Sequence, residues 1–378
     1  MKGRMSYIAV ALNLLLALML AAAFAGCGET PPTGQNGGEG TDSLAHQSEG
    51  GVIAAAGFVN VYNWGEYIDM DVLDLFEQET GIKVNYSVFQ SNEEMYSILR
   101  GGGANFDVII PSDYMISRLI EENMLQKPDF SNIPNFGLID EEYRNLDFDP
   151  GNEYSIPYMV GTVGLIYNSA MIRDEMTSWG ALFDERYAGQ ILMFDNPRDA
   201  FGIALKYLGY YQNTVSESEI HAAFDLLAAQ KPLLQAYVMD QIFDKLESGE
   251  AAIGPYYAGD YLIMRENNPD LRFIRPAEGS NSFVDAMVIP ANANNKENAE
   301  TFINFLIRTD IALMNMDYIW YSSANYEANG IFMDENLDFE DYEIMFASHE
   351  TLANCDVFTD LPPHILELYN DLWITLKS

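Results

Sequence analysis

The sequence predicts an α/β fold with a mostly parallel sheet, and three observations point to it. Strand-like runs start near residues 58, 83 and 107, a spacing of about 25 residues that suits tight strand–helix–strand units with right-handed connections. The stretches between them carry helical periodicity and helix-capping residues. The 378 residues are 48% hydrophobic and 13% aromatic, enough for about two domains of roughly 100–200 residues, each with a sizeable core.

The elements follow in order. Phe58 to Asn63 reads as a strand, and Asp69 to Thr80 as a helix with Met70, Val72, Leu73, Leu75 and Phe76 on one face. Gly81 then stands at the C-terminal cap position. Lys83 to Phe89 is a second strand. Ser91 and Glu94 form a capping box that opens a helix ending at Gly101, Gly102 and Gly103. Asp107 to Ile110 is a third strand. A turn-rich stretch, 128–157, precedes Tyr158 to Tyr167, an apolar strand with two glycines that could pass from one lobe to another. Further strands are expected at Ile191–Phe194 and Ala251–Tyr257, and an extended segment at Phe283–Pro290. Helices are expected near Pro197–Leu208, Ala258–Glu266, Lys296–Arg308 and Pro363–Leu376.

The first 27 residues read as a leader rather than as fold. Lys2 and Arg4 precede an apolar stretch from Tyr7 to Ala25, which ends in Phe24-Ala25-Gly26-Cys27. A cysteine directly after Ala-Gly resembles a bacterial lipobox, with Phe24 where Leu is usual, and makes Cys27 the expected lipidation site. A single membrane anchor is the alternative, since the run is nearly long enough to span. Residues 28–56, rich in Gly, Pro, Ser, Thr and Glu at the start, read as a flexible tether. With Cys27 lipidated, Cys355 is the remaining cysteine, expected as a buried small hydrophobe rather than half of a disulfide or metal site.

Charge narrows the function. Acidic residues number 57 against 19 basic, a net −38, so binding of nucleic acid or anionic membrane by the folded body is excluded. In an open α/β sheet, ligands bind beyond the carboxyl ends of the strands, and there the sequence repeats one theme. Trp64-Gly65-Glu66-Tyr67, Gln90-Ser91-Asn92, Ser112-Asp113-Tyr114, Asn196-Pro197-Arg198-Asp199, Tyr256-Tyr257-Ala258-Gly259-Asp260 and Phe283-Val284-Asp285 set aromatics beside carboxylates, with almost no Lys or Arg. Such a set fits a linear organic cation. Rings cover its methylenes and attract its charge at about 0.5–2 kcal/mol per contact, while carboxylates accept its charged hydrogen bonds. Many of the 23 Tyr, 21 Phe and 4 Trp must still be core. The signal is the recurrence, not any one ring.

Catalytic patterns are weak. There is no G-x-S-x-G, H-E-x-x-H or P-loop, and His221, His349 and His364 lack metal-ligand spacing. Asp334 to Asp338 resembles the start of a calcium loop but has Phe339 where glycine is required, so it reads as a solvated loop. Paired carboxylates keep a glycosidase open as a competing class.

Several motifs together resemble the spermidine/putrescine-binding proteins of bacterial ABC transporters. They are Tyr62-Asn-Trp-Gly-Glu-Tyr67, Glu79-Thr-Gly-Ile-Lys-Val84, Ser91-Asn-Glu-Glu-Met95, Pro111-Ser112, Tyr154-Ser-Ile-Pro-Tyr158, Ile289-Pro-Ala-Asn-Ala293 and Ile303-Asn-Phe-Leu306, in order from about Val59 to Tyr321. The resemblance implies a two-lobed periplasmic-binding-protein fold of type II, with the ligand between lobes. Lobe 1 would be 57–158 and 286–316, and lobe 2 would be 159–285 and 317–378. It maps an aromatic box onto Trp64, Tyr67, Tyr114, Tyr257, Phe283 and Tyr321, and ammonium-pairing acids onto Glu66, Asp199, Asp260 and Asp285. Ser112 would add a hydroxyl, and Asn196 stands near where some members carry an acid. Tyr257 and Phe283 replace the Trp usual in the spermidine-preferring type, while Tyr257-Ala-Gly-Asp260 is similar to the putrescine-preferring type. The implied protein is a monomer at the periplasm or cell surface, anchored through lipid on Cys27, without cofactor, metal or catalytic residue. It would hand a polyamine to an ABC permease. A sugar or a metal ion remains the alternative ligand.

Overall fold

The computed structural model describes residues 57–102, 105–336 and 339–378. The leader 1–27 with Cys27, the tether 28–56, Gly103, and Leu337 with Asp338 lie outside the described residues.

Among the described residues, twelve strands form the sheet: β1 (Phe58–Trp64), β2 (Lys83–Phe89), β3 (Val108–Ile109), β4 (Leu125–Gln126), β5 (Ser155–Asn168), β6 (Ile191–Phe194), β7 (Leu234–Val238), β8 (Ile253–Tyr257), β9 (Leu271–Ile274), β10 (Ser280–Pro290), β11 (Ser322–Ser323) and β12 (Cys355–Val357). Their main path runs β2-β1-β3-β10-β5-β8-β6-β7. The expected parallel units are present at both ends, where β1 pairs in parallel with β2 and β3, and β6 with β7 and β8. The departure from this parallel pairing lies at the centre. β10 runs antiparallel to β3 and β5, and β5 antiparallel to β8 and β9.

The reason is that β5 and β10 belong to both halves. Ser155 to Thr162 of β5 pairs with β10, and Val163 to Asn168 pairs with β8 and β9. The expected passage of Tyr158–Tyr167 between halves is this strand. Its nearly unbroken apolar sequence follows, since a strand covered on both faces has no polar side.

Local caps explain where helices begin and stop. Gly81 adopts φ 73° and its N–H returns to Glu77 O, closing the helix Met70–Thr80, a left-handed cap that glycine reaches without a Cβ penalty. Ser91 Oγ accepts from Glu94 N at 3.1 Å. The return bond of this box comes from Gln90 N to Glu94 Oε2 at 2.8 Å, one residue earlier than the usual pattern. Asp334, Glu335 and Asn336, expected in a loop, instead finish the helix Tyr326–Asn336.

Hydrophobic packing gathers around the two parallel units. Trp179, Phe194, Phe201 and Tyr261 are among the buried side chains around β6 and β8, and Phe76, Met287 and Phe302 among those beside β1. A smaller cluster with Phe89, Met95 and Ile109 lies on the other side of that first unit. The helix Thr309–Ile319 serves both, giving Ile311 and Ile319 to one core and Ala312 and Met316 to the other.

Candidate binding site

Strand ends of both units converge on one cavity. Its lining includes all of Trp64, Glu66, Tyr67, Ser112, Tyr114, Asn196, Asp199, Tyr257, Asp260, Phe283, Asp285 and Tyr321.

The first unit contributes the loops after β1 and β3. Glu66 adopts φ 49°, a left-handed conformation that costs a non-glycine residue on the order of 1 kcal/mol and tends to mark functional turns. Beyond it, Tyr67 is buried and donates from its hydroxyl to Asp285 Oδ2 at 2.7 Å. Ser112 opens the helix Asp113–Glu121 without capping it through its side chain. Its hydroxyl instead accepts from Asn92 Nδ2 at 3.2 Å. The same amide reaches Tyr114 OH at 3.1 Å, and that hydroxyl donates to Glu93 Oε1 at 3.0 Å.

The second unit contributes the loops after β6 and β8. Asn196 caps the helix Pro197–Tyr207 by accepting from Asp199 N at 2.9 Å, and its Nδ2 donates to Asp199 Oδ2 at 2.7 Å. Tyr257 OH also donates to that oxygen, at 3.3 Å. Tyr321 OH donates to Asp260 Oδ2 at 2.8 Å. Gly259 makes that approach possible, because a Cβ there would stand 2.3 Å from the Tyr321 ring.

Aromatic rings form the walls between these acids. Tyr321 meets Tyr67 edge-on at 5.2 Å, Tyr257 meets Phe283 at 5.6 Å, and Trp64 leans on Phe89 at 4.5 Å. Asp285 lies on β10 with 4% exposure. Its Oδ1 has no hydrogen-bond partner, and neither does Trp64 Nε1. Ser112 sits beside Asp285 through an isolated bridge between their backbones.

Burial sets the protonation of these acids. It pushes Asp285 up to about 6, opposed by the Ser112 and Tyr67 hydroxyls. Asp199 also rises to about 6, mainly through burial and against the pull of Asn196. Asp260 reaches about 8, through burial first, with Tyr321 opposing and the charges of Asp240 and Glu66 adding to it. The arrangement is an aromatic-walled slot whose buried carboxylates are held mainly by neutral hydrogen-bond donors, and a desolvated cation is what such acids lack.

Other residues of this lining were not assigned to the site from sequence: Asp113, Arg198 and Tyr256 stood in the strand-end runs without a role, and Glu93, Asp240 and Phe358 were outside those runs. Glu93 was legible only as part of a helix start. Asp113 is almost fully buried and rises to about 8, through burial against bonds from the Val284 and Tyr114 amides. Asp240 follows β7, a strand whose half-buried pattern gave no alternation to read. Arg198 is a cation in a site expected to be nearly free of them. Its guanidinium is stacked 4.5 Å over Phe358 and 5.3 Å over Tyr114, and donates to Asn213 Oδ1 and Thr359 O. Asp356 is tied to Lys206 at 2.6 Å.

Comparison with known proteins places this geometry. Residues 104–330 match the family model described as bacterial extracellular solute-binding protein. The spermidine/putrescine-binding periplasmic protein of Escherichia coli is 36% identical over 320 residues, 84% of this chain and 90% of that one. A structure from Listeria monocytogenes described as a spermidine/putrescine ABC transporter superposes with a TM-score of 0.80 at 38% identity, over 85% of this chain and 99% of that one. The spermidine/putrescine ABC transporter substrate-binding protein of Streptococcus pneumoniae gives 0.71 at 35% identity, with the same coverage of each chain. The fold is thus the two-lobed periplasmic-binding-protein fold of type II, with its site in the interlobe cleft. The chain belongs to the bacterial extracellular solute-binding proteins, the family that includes these spermidine/putrescine-binding relatives.

Proposed function

We propose that the protein captures a polyamine, putrescine or spermidine or both, in this cavity and delivers it to the permease of an ABC importer. One observation carries the reading: Asp285, 4% exposed, lines a slot walled by aromatic rings, where the groups bonding its carboxylate are the neutral hydroxyls of Tyr67 and Ser112. Leaving a buried carboxylate without a countercharge costs several kcal/mol, and an ammonium group supplies the missing charge. Asp260, Asp199 and Glu66 pair the other ammonium positions. Trp64, Tyr67, Tyr114, Tyr257, Phe283 and Tyr321 cover the methylene chain, with Ser112 and Asn196 completing the polar contacts. Names of the relatives agree with a polyamine ligand.

The lobes of this reading are 57–158 with 286–316 and 159–285 with 317–378, closing on the ligand through β5 and β10. The protein works as a binder, not an enzyme, and as a monomer. Cys27 carries lipid that holds it at the extracytoplasmic face of a membrane, with 28–56 as tether. Loss of radiolabelled palmitate and release from membranes in Cys27→Ala would support the anchor, and unchanged labelling would refute it.

Isothermal calorimetry tests the ligand. Putrescine or spermidine should bind the wild type, and Asp285→Asn should weaken that binding at least about tenfold, or 1.4 kcal/mol. Binding of basic amino acids or oligosaccharides with no polyamine heat would sink the assignment. Unchanged polyamine affinity in Asp285→Asn would remove Asp285 from it.

A further inference from the structure

Residues that follow two strands from opposite ends of the sheet meet in the cavity lining. β2 and β7 are the first and last strands of the main path, yet the residues that follow them are in contact. Gln90, exposed at the end of β2, donates from Nε2 to Asp240 Oδ2 at 3.3 Å. On its own side of the cleft, Asp240 accepts from Tyr256 OH through Oδ1 at 3.1 Å. The same carboxylate lies against the turn after β1, where a Cβ on Gly65 would stand 2.5 Å from Oδ2. Asp240 therefore fills the space that the missing Gly65 side chain leaves, and its two oxygens bridge the halves.

This bridge is made by a charge in an acidic neighbourhood. Asp240 and Glu66 are each close enough to Asp260 to disfavour its ionised form. Closing an empty cleft gathers the three carboxylates in a space short of water, and like charges held there repel. A cation seated among them removes that penalty. The hydrogen bond to Gln90 can then persist.

We propose that Asp240 is a further positioning residue of this site, a latch that fastens the cleft through Gln90 once the ligand's cationic end has neutralised the repulsion from Glu66 and Asp260. The inference rests on the polyamine reading for the identity of that cation, but not for the contact itself. Its logic separates two substitutions. Gln90→Ala removes the donor of the latch at an exposed position and leaves every acid in place. Asp240→Asn keeps an acceptor for Gln90 while removing the charge that opposes closure.

The test pairs stopped-flow tryptophan fluorescence with small-angle scattering on the full chain without its leader. With putrescine, Gln90→Ala should release ligand about fivefold faster, with association little changed, since the lost contact forms on closure. Without ligand at low salt, Asp240→Asn should be more compact than wild type. A wild-type release rate in Gln90→Ala overturns the latch. So does an unaltered radius of gyration in ligand-free Asp240→Asn. If the wild type binds no polyamine, the polyamine reading fails alone, and the ligand-free scattering of Asp240→Asn still decides the latch.

Discussion

Single residues in the cavity carry carboxyls whose burial predicts a coupling of binding to protons. Asp113 and Asp260 are pushed to about 8, and Asp199 and Asp285 to about 6, each chiefly by burial. In the unfolded chain a carboxyl loses its proton near pH 4. Between that pH and about 8 the empty folded protein therefore binds more protons than the unfolded one, and its stability falls as pH rises through the window. On the proposed reading, a polyamine seated among them reverses the preference by favouring the ionised acids. Binding at pH 7 should then release protons, so the calorimetric heat for putrescine should differ between phosphate and Tris buffers at that pH. Equal heats in the two buffers would mean that these carboxyls do not change protonation on binding. Ligand-free melting temperatures should fall from pH 5 to pH 8, and saturating putrescine should flatten the trend.

Elements decide whether those residues reach the cavity at all. Gly259 stands in the first turn of the helix Ala258–Asn267, where alanine would favour the helix by up to about 1 kcal/mol. Space works against it, because the added Cβ would lie 2.3 Å from the Tyr321 ring. Overpacking of this kind costs about 1–3 kcal/mol, so the clash should win. Gly259→Ala is expected to lower the urea midpoint and, by moving the Tyr321 hydroxyl off Asp260, to weaken ligand binding more than it weakens the fold. A stabilised variant with intact affinity would show that the ring moves freely.

The same scale shows what the sequence made legible. Helices bounded by Gly81 and Ser91 could be placed because cap chemistry is local. The strand ends were legible for the same reason, since a loop after a strand lies where ligands bind, and the runs picked out there hold eleven of the twelve residues that share the cavity. Tyr321 and the individual roles came from the family resemblance. Pairing across the sheet was not. The antiparallel β5–β10 contact joins residues more than a hundred positions apart in sequence, and no nearby turn announces it. Asp240 was missed with β7, whose residues are mostly half-buried and so lack a clear period. Arg198 escaped because its role depends on Phe358 and Tyr114, both remote in sequence.

Across the whole molecule, the net charge of −38 acts on approach and not on selection. Seven acids line the cavity, with Arg198 as the one cation among its lining residues. Other acids belong to the surface or to structural networks, as when Asp107 gathers the amides of Asn294 and Asn295. Exposed charges reach a ligand only over about 8 Å at physiological salt, too short a distance to tell one diamine from another but enough to draw a dication to the cleft. Salt should therefore separate the two stages of binding. Raising NaCl from about 20 to about 500 mM should slow putrescine association several-fold. Dissociation should change less, because contacts within the closed slot are screened weakly. An association rate indifferent to salt would assign capture to the cavity alone and leave the acidic surface without a part in it.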